Sequence, residues 1–168
     1  MAEFDISKVK GNDRFIAGGA VLLLVLSFFP WYSVSAKGLG GFGGSNSGNL
    51  WDIYGILKLA LFLALAAGAV VIARLMGALD DVTLPAGINL ITLGLSGLAT
   101  LIFLLRLFGA YDSAGSGAFK VSAHPAFGWY AGLLVSAGMT YFAFLNFKAS
   151  GEQLPTKPGD TPPPPVTP

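Results

Sequence analysis

The sequence predicts an all-α integral membrane protein, a four-helix bundle of two antiparallel transmembrane hairpins with a disordered proline-rich C-terminal tail. Hydrophobic residues make up 54% of the 168 residues and charged residues only 11%, and the mean hydropathy is +0.67. A soluble domain averages about 25% charged residues. The apolar residues also fall in four runs close to the roughly 20 residues that a helix needs to cross the hydrocarbon of a bilayer.

The four predicted spans are residues 15–34, 53–73, 85–107 and 127–147, which together form a transmembrane domain of residues 15–147. The links after the first and third runs are rich in glycine and serine, which predicts turns and flexible loops there. Because short polar links make neighbouring helices antiparallel, we expect two hairpins. Residues 1–14 precede the first span as a cytoplasmic segment.

The positions of lysine and arginine predict a multi-pass plasma-membrane protein with both termini in the cytoplasm. In that orientation, six of the ten basic residues lie inside and four outside. Three of the six, Lys8, Lys10 and Arg14, precede the first span, where basic residues have most influence on insertion. Both glycine- and serine-rich loops are then external.

The stretch FFPWY, at the end of the first run, predicts the outer edge of the membrane. A helix that begins at Phe15 reaches Pro30 after about 22 Å, near the limit of the hydrocarbon. Aromatic rings with a polar atom favour headgroup depth. We therefore expect an outer aromatic belt of Trp31, Tyr32, Trp51, Tyr54, Tyr111, Trp129 and Tyr130.

A second interpretation of this stretch is a cleaved signal peptide. Val34, Ser35 and Ala36 resemble a signal-peptidase site after a basic and then apolar segment. Cleavage would leave three spans and an external N-terminus. The bulky Trp31 and Tyr32 near the cut, and the unpaired second helix that would result, argue against cleavage.

Charged residues inside predicted spans are candidate binding residues, and the sequence has Lys58, Arg74 and Arg106. All three lie near helix ends, so extension of the side chain to the headgroups explains them. The alternative is that Lys58 and Arg106, with the aromatic belt, bind a lipid phosphate or a partner carboxylate. His124, the only histidine, is expected to be a solvated loop residue.

Several function classes receive no support from the sequence. The chain has no cysteine for thiol chemistry, and its formal net charge of +1 provides no field for nucleic acid. It lacks the sequence patterns of serine nucleophiles, zinc hydrolases and nucleotide-binding loops. We therefore expect no enzymatic activity, no cofactor and no metal site.

Small residues at helical spacing predict close helix packing in lipid. Packing within the bundle is the first interpretation, and an interface with a partner subunit or a second copy is the alternative. Asn89 and Asn146 are expected to hydrogen-bond across the bundle. The two ridges of small residues are Ala60, Ala64 and Gly68 in the second span and Gly128, Gly132, Ser136 and Thr140 in the fourth.

Residues 148–168 are predicted to be a disordered cytoplasmic tail. Seven of the ten prolines lie in this segment, which has no apolar periodicity and favours polyproline II. Most tails of this kind are disordered and bind nothing. The alternative is that PPPPVTP binds a proline-reading domain.

Together with the basic N-terminus, the glycine-rich loop and the short proline-rich tail, FFPWYS and WDIYG resemble uncharacterised small four-helix membrane proteins of actinobacteria. The resemblance implies a plasma-membrane protein of a Gram-positive envelope and brings no catalytic residues. We expect a non-enzymatic accessory or scaffold subunit of a larger membrane or envelope complex. Its partners would be membrane lipids and a protein subunit or second copy. The alternative is a lipid-binding or small-solute transport component that uses the outer basic and aromatic cluster.

Overall fold

The fold is mostly helical, with four helices that alternate in direction around a closed ring. A computed structural model describes residues 11–37, 43–52, 55–79, 86–109 and 120–152. Each helix packs against two neighbours, and the fourth closes the ring against the first. The helices are α1 (Gly11–Leu26), α2 (Ile56–Leu75), α3 (Ile88–Gly109) and α4 (Phe127–Ser150), and a short 3-10 turn covers Leu50–Asp52.

Three of the helices are long and apolar enough to cross a membrane. Their candidate spans are Ile56–Leu75, Ile88–Phe108 and Phe127–Ser150, which is consistent with a multi-pass membrane protein. Large apolar side chains are exposed on the outward faces of these helices, among them Phe108 and Leu134. The first helix has 16 residues, about 24 Å at 1.5 Å per residue.

The first helix ends at Leu26 rather than at the expected residue 34. Ser27, Phe28 and Phe29 still donate backbone hydrogen bonds to the last turn, at 2.9, 3.2 and 3.0 Å. Pro30 follows, and a proline disfavours helical dihedrals in the residue before it. The helix therefore stops one turn before the proline, and the chain turns into a strand.

Within the described residues, a three-stranded antiparallel sheet covers part of the two predicted loops, so the all-α expectation needs correction. The strands are β1 (Tyr32–Lys37), β2 (Gly43–Gly48) and β3 (Lys120–Pro125), in the order β2-β1-β3. Val34, in the central strand, lies opposite Asn46 on one side and Ala123 on the other. His124 is exposed on β3. Since Tyr32 and Val34 favour extended backbone, β1 organises the two weaker strands around itself.

Glycines with left-handed backbone end two of the helices. Gly77 follows α2 with a φ of 71°, and the amides of Gly77 and Ala78 donate 3.0 Å bonds to Arg74 and Ala73 in a Schellman arrangement. Gly151 ends α4 with a φ of 68°. The helix α4 thus continues to Ser150, three residues into the predicted tail. Residues 153–168, Lys8, Lys10, Tyr54 and Tyr111 lie outside the described residues.

Trp31 joins the sheet to the helix bundle. Its backbone amide donates to Gly48 O at 2.8 Å, and its carbonyl accepts from Ala126 N at 3.0 Å. Its indole Nε1 donates to Leu26 O at 2.7 Å. The ring lies over Gly128, where an added Cβ would come within 2.6 Å of Trp31 Cδ1. Trp31 therefore fixes the end of α1, the sheet and the start of α4 relative to one another.

The expectation that Trp31 and Trp129 face headgroups is wrong, because both are buried. Trp31 is 0% exposed and Trp129 2% exposed. Their ring centroids lie 6.2 Å apart, and that of Phe103 is 5.5 Å from Trp31. These rings form the core of the bundle at the end that carries the sheet. The buried indole of Trp31 keeps its hydrogen bond through a helix-end carbonyl and does not need water.

Both ridges of small residues face the inside of the chain. In α2, Gly68 lies against Ala20 of α1, where no side chain would fit. In α4, Gly128 and Gly132 make room for Trp31. Two further members contact the Thr100 hydroxyl of α3, Ser136 at 2.5 Å and Thr140 at 2.9 Å. Ala60 and Ala64 are also buried. Close packing between the helices of one chain therefore uses both ridges.

The close contact between Gly132 and the Trp31 ring predicts that the variant Gly132→Leu is less stable. The new side chain would overlap the Trp31 ring, and overpacking of this kind lowers the free energy of unfolding by about 1–3 kcal/mol. Thermal unfolding of the purified chain in mild detergent, followed by circular dichroism, measures this loss. Gly94→Leu on α3 is the control, because a Cβ there meets nothing within 4 Å. Equal stability of the two variants would contradict the close contact between Gly132 and the Trp31 ring.

Candidate functional site

A buried carboxylate, that of Asp13, lies at the end of the bundle opposite the sheet. Asp13 belongs to the first turn of α1 and is 1% exposed. Its Oδ1 accepts from Arg74 Nη2 at 2.5 Å and from Asn146 Nδ2 at 2.7 Å. An unpaired buried carboxylate would cost several kcal/mol, so these two donors are what allow Asp13 to be inside. They come from α2 and α4, the two neighbours of α1.

The hydrogen bonds continue from Arg74 to the third helix. Arg74 Nη1 donates to Asn89 Oδ1 at 2.7 Å, and Asn89 Nδ2 donates to Glu152 Oε1 at 2.8 Å. Glu152 Oε2 accepts from the backbone amide of Leu90 at 3.0 Å. A carboxylate at the amino end of a helix is stabilised by the helix dipole and by the free amides of the first turn. Glu152, just beyond α4, therefore caps α3.

We call Asp13, Arg74, Asn89, Asn146 and Glu152 the polar cluster. Asn12 joins it through a 3.1 Å bond from its Nδ2 to Asn146 Oδ1. The cluster contains two carboxylates and one guanidinium, and each carboxylate accepts hydrogen bonds from other helices. This arrangement ties the ends of all four helices together. In the described ranges, no group of three His, Asp or Glu side chains comes together that could hold a metal ion.

The sequence located only part of this cluster. Asn89 and Asn146 do bond across the bundle, as expected, whereas Arg74 pairs with Asp13 and does not simply extend to headgroups. Asp13 and Glu152 were missed. A signal for Asp13 is present, because Asp13, Ile16, Ala20 and Leu23 follow helical spacing and all four are buried. That spacing places the carboxylate on the inward face of α1, where it requires a partner.

The predicted basic residues Lys58 and Arg106 lie at the end of the bundle that carries the sheet. Lys58 is half-buried in the first turn of α2, and Arg106 is exposed in the last turn of α3. Their binding of a lipid or a partner carboxylate stays a prediction.

The remaining belt residues within the described part lie at the same end. Trp51 is half-buried and donates from Nε1 to Ser27 Oγ at 3.0 Å. Tyr32 is half-buried with its ring over Gly48, and Tyr130 is exposed. These three side chains lie closer to the surface than Trp31 and Trp129. A role for them at headgroup depth stays a prediction.

The outer edge of β2 is a second candidate surface. In the described sheet, β2 pairs with β1 on one side and has no strand on the other. Gly44, Ser45, Asn46 and Ser47 are all exposed. An edge strand presents a row of backbone N–H and C=O groups that can pair with another extended segment. The small side chains of β2 leave this row accessible.

Comparison of the chain with models of known protein families, with curated proteins and with solved structures finds no match. The resemblance to small membrane proteins of actinobacteria therefore stays a prediction from the sequence.

The ion pair predicts a strongly non-additive pair of substitutions. Arg74→Leu leaves Asp13 buried with one fewer donor, and removal of one partner from a buried pair costs about 3–5 kcal/mol. Asp13→Leu should cost less, because Arg74 is 24% exposed and can reach water. The double variant should be more stable than Arg74→Leu alone.

Equilibrium unfolding of the purified chain in mixed micelles of mild detergent and dodecyl sulfate measures all three variants. Arg106→Leu, at an exposed position, is the control and should change the free energy of unfolding by less than about 0.5 kcal/mol. If the two single effects simply add, Asp13 and Arg74 do not interact in the folded chain.

Proposed function

We propose that the chain is a non-enzymatic accessory or scaffold subunit of a membrane complex. Its four helices cross the bilayer, and its sheet stands on the outer side. There the edge of β2 that has no neighbouring strand in the described sheet binds an extended segment of a partner protein. The observation that carries this proposal is the exposed edge of β2, attached to a bundle whose buried polar side chains bond one another.

Pairing at the edge of β2 indicates what kind of segment the partner presents. An extended peptide that adds a strand to a sheet forms backbone hydrogen bonds, which provide affinity with little demand on its sequence. The exposed residues of β2 are glycine, serine and asparagine, so a second backbone can approach without steric conflict. The partner is therefore an extended loop or terminal segment of an envelope or membrane protein.

The rigid attachment of the sheet supports the same role. The amide of Trp31 binds Gly48 at the end of β2, and the indole of Trp51 binds the Ser27 hydroxyl beyond α1. The two contacts hold the edge strand in place before any partner arrives. A preorganised surface loses less conformational entropy on binding, so more of the interaction energy appears as affinity.

Placement in the membrane rests on length, hydropathy and the outward apolar faces. The three candidate spans have mean hydropathies of 2.5, 2.1 and 1.3. Leu134 is 75% exposed and Phe108 81% exposed, as suits side chains that face lipid. The lysine and arginine count favours the sheet outside and the polar cluster inside.

Labelling of single cysteines tests this orientation, because the natural chain contains no cysteine. Ser45→Cys on β2 should react with a membrane-impermeant maleimide added to intact cells. Ser150→Cys at the end of α4 should react only after the membrane is permeabilised. Both positions are exposed, so accessibility within the fold does not limit the reaction. The reverse pattern would place the sheet inside, and equal labelling of both in intact cells would contradict a crossing of the bilayer by all three of α2, α3 and α4.

A photo-crosslinking side chain at Asn46 tests the docking surface. We expect one discrete protein adduct on illumination in the native membrane, identified by mass spectrometry, because a paired strand would lie within reach of this exposed residue. The same side chain at Phe144, exposed on α4, should give adducts with lipid. If Asn46 yields no protein adduct, or the same adducts as Phe144, the edge of β2 is not the docking surface.

A further inference from the structure

A groove of about 290 Å³ runs along the outward face of the bundle between α1 and α4. Its walls are apolar side chains and glycines, and its one charged lining residue is Arg14 at one end. The rings of Phe15 and Phe142 stack beside Arg14 with their centroids 4.4 Å apart. The groove is thus an apolar surface cleft with the guanidinium of Arg14 at one end.

The groove exists because two lining residues have no side chain. An added Cβ at Gly18 or at Gly138 would meet nothing within 4 Å. Gly19, by contrast, lies against Met139, where a Cβ would come within 2.6 Å of Cγ. Gly18 and Gly138 therefore leave open space that the packing of α1 on α4 does not use.

The length of the groove matches one leaflet of a bilayer. Arg14 and Leu22, the first and last lining residues of α1, are eight positions apart, on the order of 12 Å at 1.5 Å per residue. Half of a hydrocarbon core of roughly 30 Å is about 15 Å. One acyl chain of one leaflet can therefore lie along the groove from headgroup depth to near the midplane.

The positive charge of Arg14 at the end of the groove favours a lipid with an anionic headgroup. Arg14 is exposed, and among the described residues no carboxylate lies within ion-pair distance of it. It lies at the same end of the bundle as the polar cluster. A guanidinium binds phosphate oxygens through two parallel hydrogen bonds. The groove and Arg14 together match an acyl chain and the phosphate above it.

We propose that the groove between α1 and α4 binds one acyl chain of an anionic phospholipid, whose phosphate contacts Arg14. The site lies at the opposite end of the bundle from Lys58 and Arg106. The inference rests on the membrane placement in the proposed function and does not depend on the β2 edge. It assigns the chain a lipid ligand in the leaflet that surrounds the polar cluster.

A second copy of the chain fits the groove less well. Two copies inserted in the same orientation place their Arg14 ends at the same depth in the membrane. A symmetric contact through this groove would bring the two Arg14 side chains towards each other, and like charges repel. An anionic phospholipid neutralises the same charge.

Native mass spectrometry of the full chain in mild detergent tests the site, with dioleoylphosphatidylglycerol and dioleoylphosphatidylcholine as probes. The unaltered chain should retain one phosphatidylglycerol in preference to phosphatidylcholine. Arg14→Gln should reduce that preference about fivefold, the factor expected for one basic residue at an anionic surface. The double variant Gly18→Leu with Gly138→Leu fills the groove and should abolish retention of both lipids.

Two matched variants serve as controls. Gly94→Leu makes the same change at an open, exposed glycine of α3, and Lys148→Gln removes an exposed basic charge of α4 that does not line the groove. Neither should alter lipid retention. Unchanged retention in the groove-filled variant would overturn the inference, and so would a dimer that only the groove-filled variant loses. Extraction of the unaltered chain from membranes by alkaline carbonate would instead refute the membrane placement itself.

Discussion

The carboxylate of Asp13 is the constraint on which the arrangement of the helices depends. A charge at a buried position is tolerated only with donors in place, so Arg74 and Asn146 must converge on it. This requirement fixes the rotation of α2 and α4 about their own axes relative to α1. Apolar packing alone would not do so, because both helices are apolar on all faces and have little amphipathic asymmetry. Asn89 and Glu152 extend the same constraint to α3.

The other end of the bundle is fixed by a different kind of contact. There Trp31 fills the space above Gly128 and Gly132 and takes its hydrogen bonds from helix ends and strands. Between the two ends, close contacts of small residues and the Thr100 hydroxyl set the distance between helices. Polar side chains thus specify one end and shape complementarity the other. The outward faces of the helices and the outer edge of β2 take no part in these contacts.

The long helices were predictable from the sequence, whereas the sheet and the tryptophan core were not. Runs of about 20 apolar residues locate α2, α3 and α4 because the backbone has to satisfy its own hydrogen bonds in lipid. The strand β2 has the sequence GGSNSG, whose own propensity for extended structure is low, and it forms only by pairing with β1. Trp31 suits a headgroup or a core equally well by its chemistry. Gly128 and Gly132, in the second half of the sequence, leave the space in which the Trp31 ring is buried. The sequence indicated only part of the polar cluster. Asn89 and Asn146 were predicted to hydrogen-bond across the bundle, whereas their acidic partners Glu152 and Asp13 were not predicted.

Five glycines of α1, α2 and α4 separate into two groups, while Gly94 on α3 is open like the second group but lies outside the groove. Gly68, Gly128 and Gly132 lie against Ala20 or Trp31, so their missing side chains serve packing within the chain. Gly18 and Gly138 lie in open space, although a glycine inside a helix costs about 0.5–1 kcal/mol relative to alanine. No contact among the described residues offsets that cost. Both lie in the groove below Arg14. A ligand that uses the open space would supply the compensating contacts, and an acyl chain has the shape and the polarity to do so.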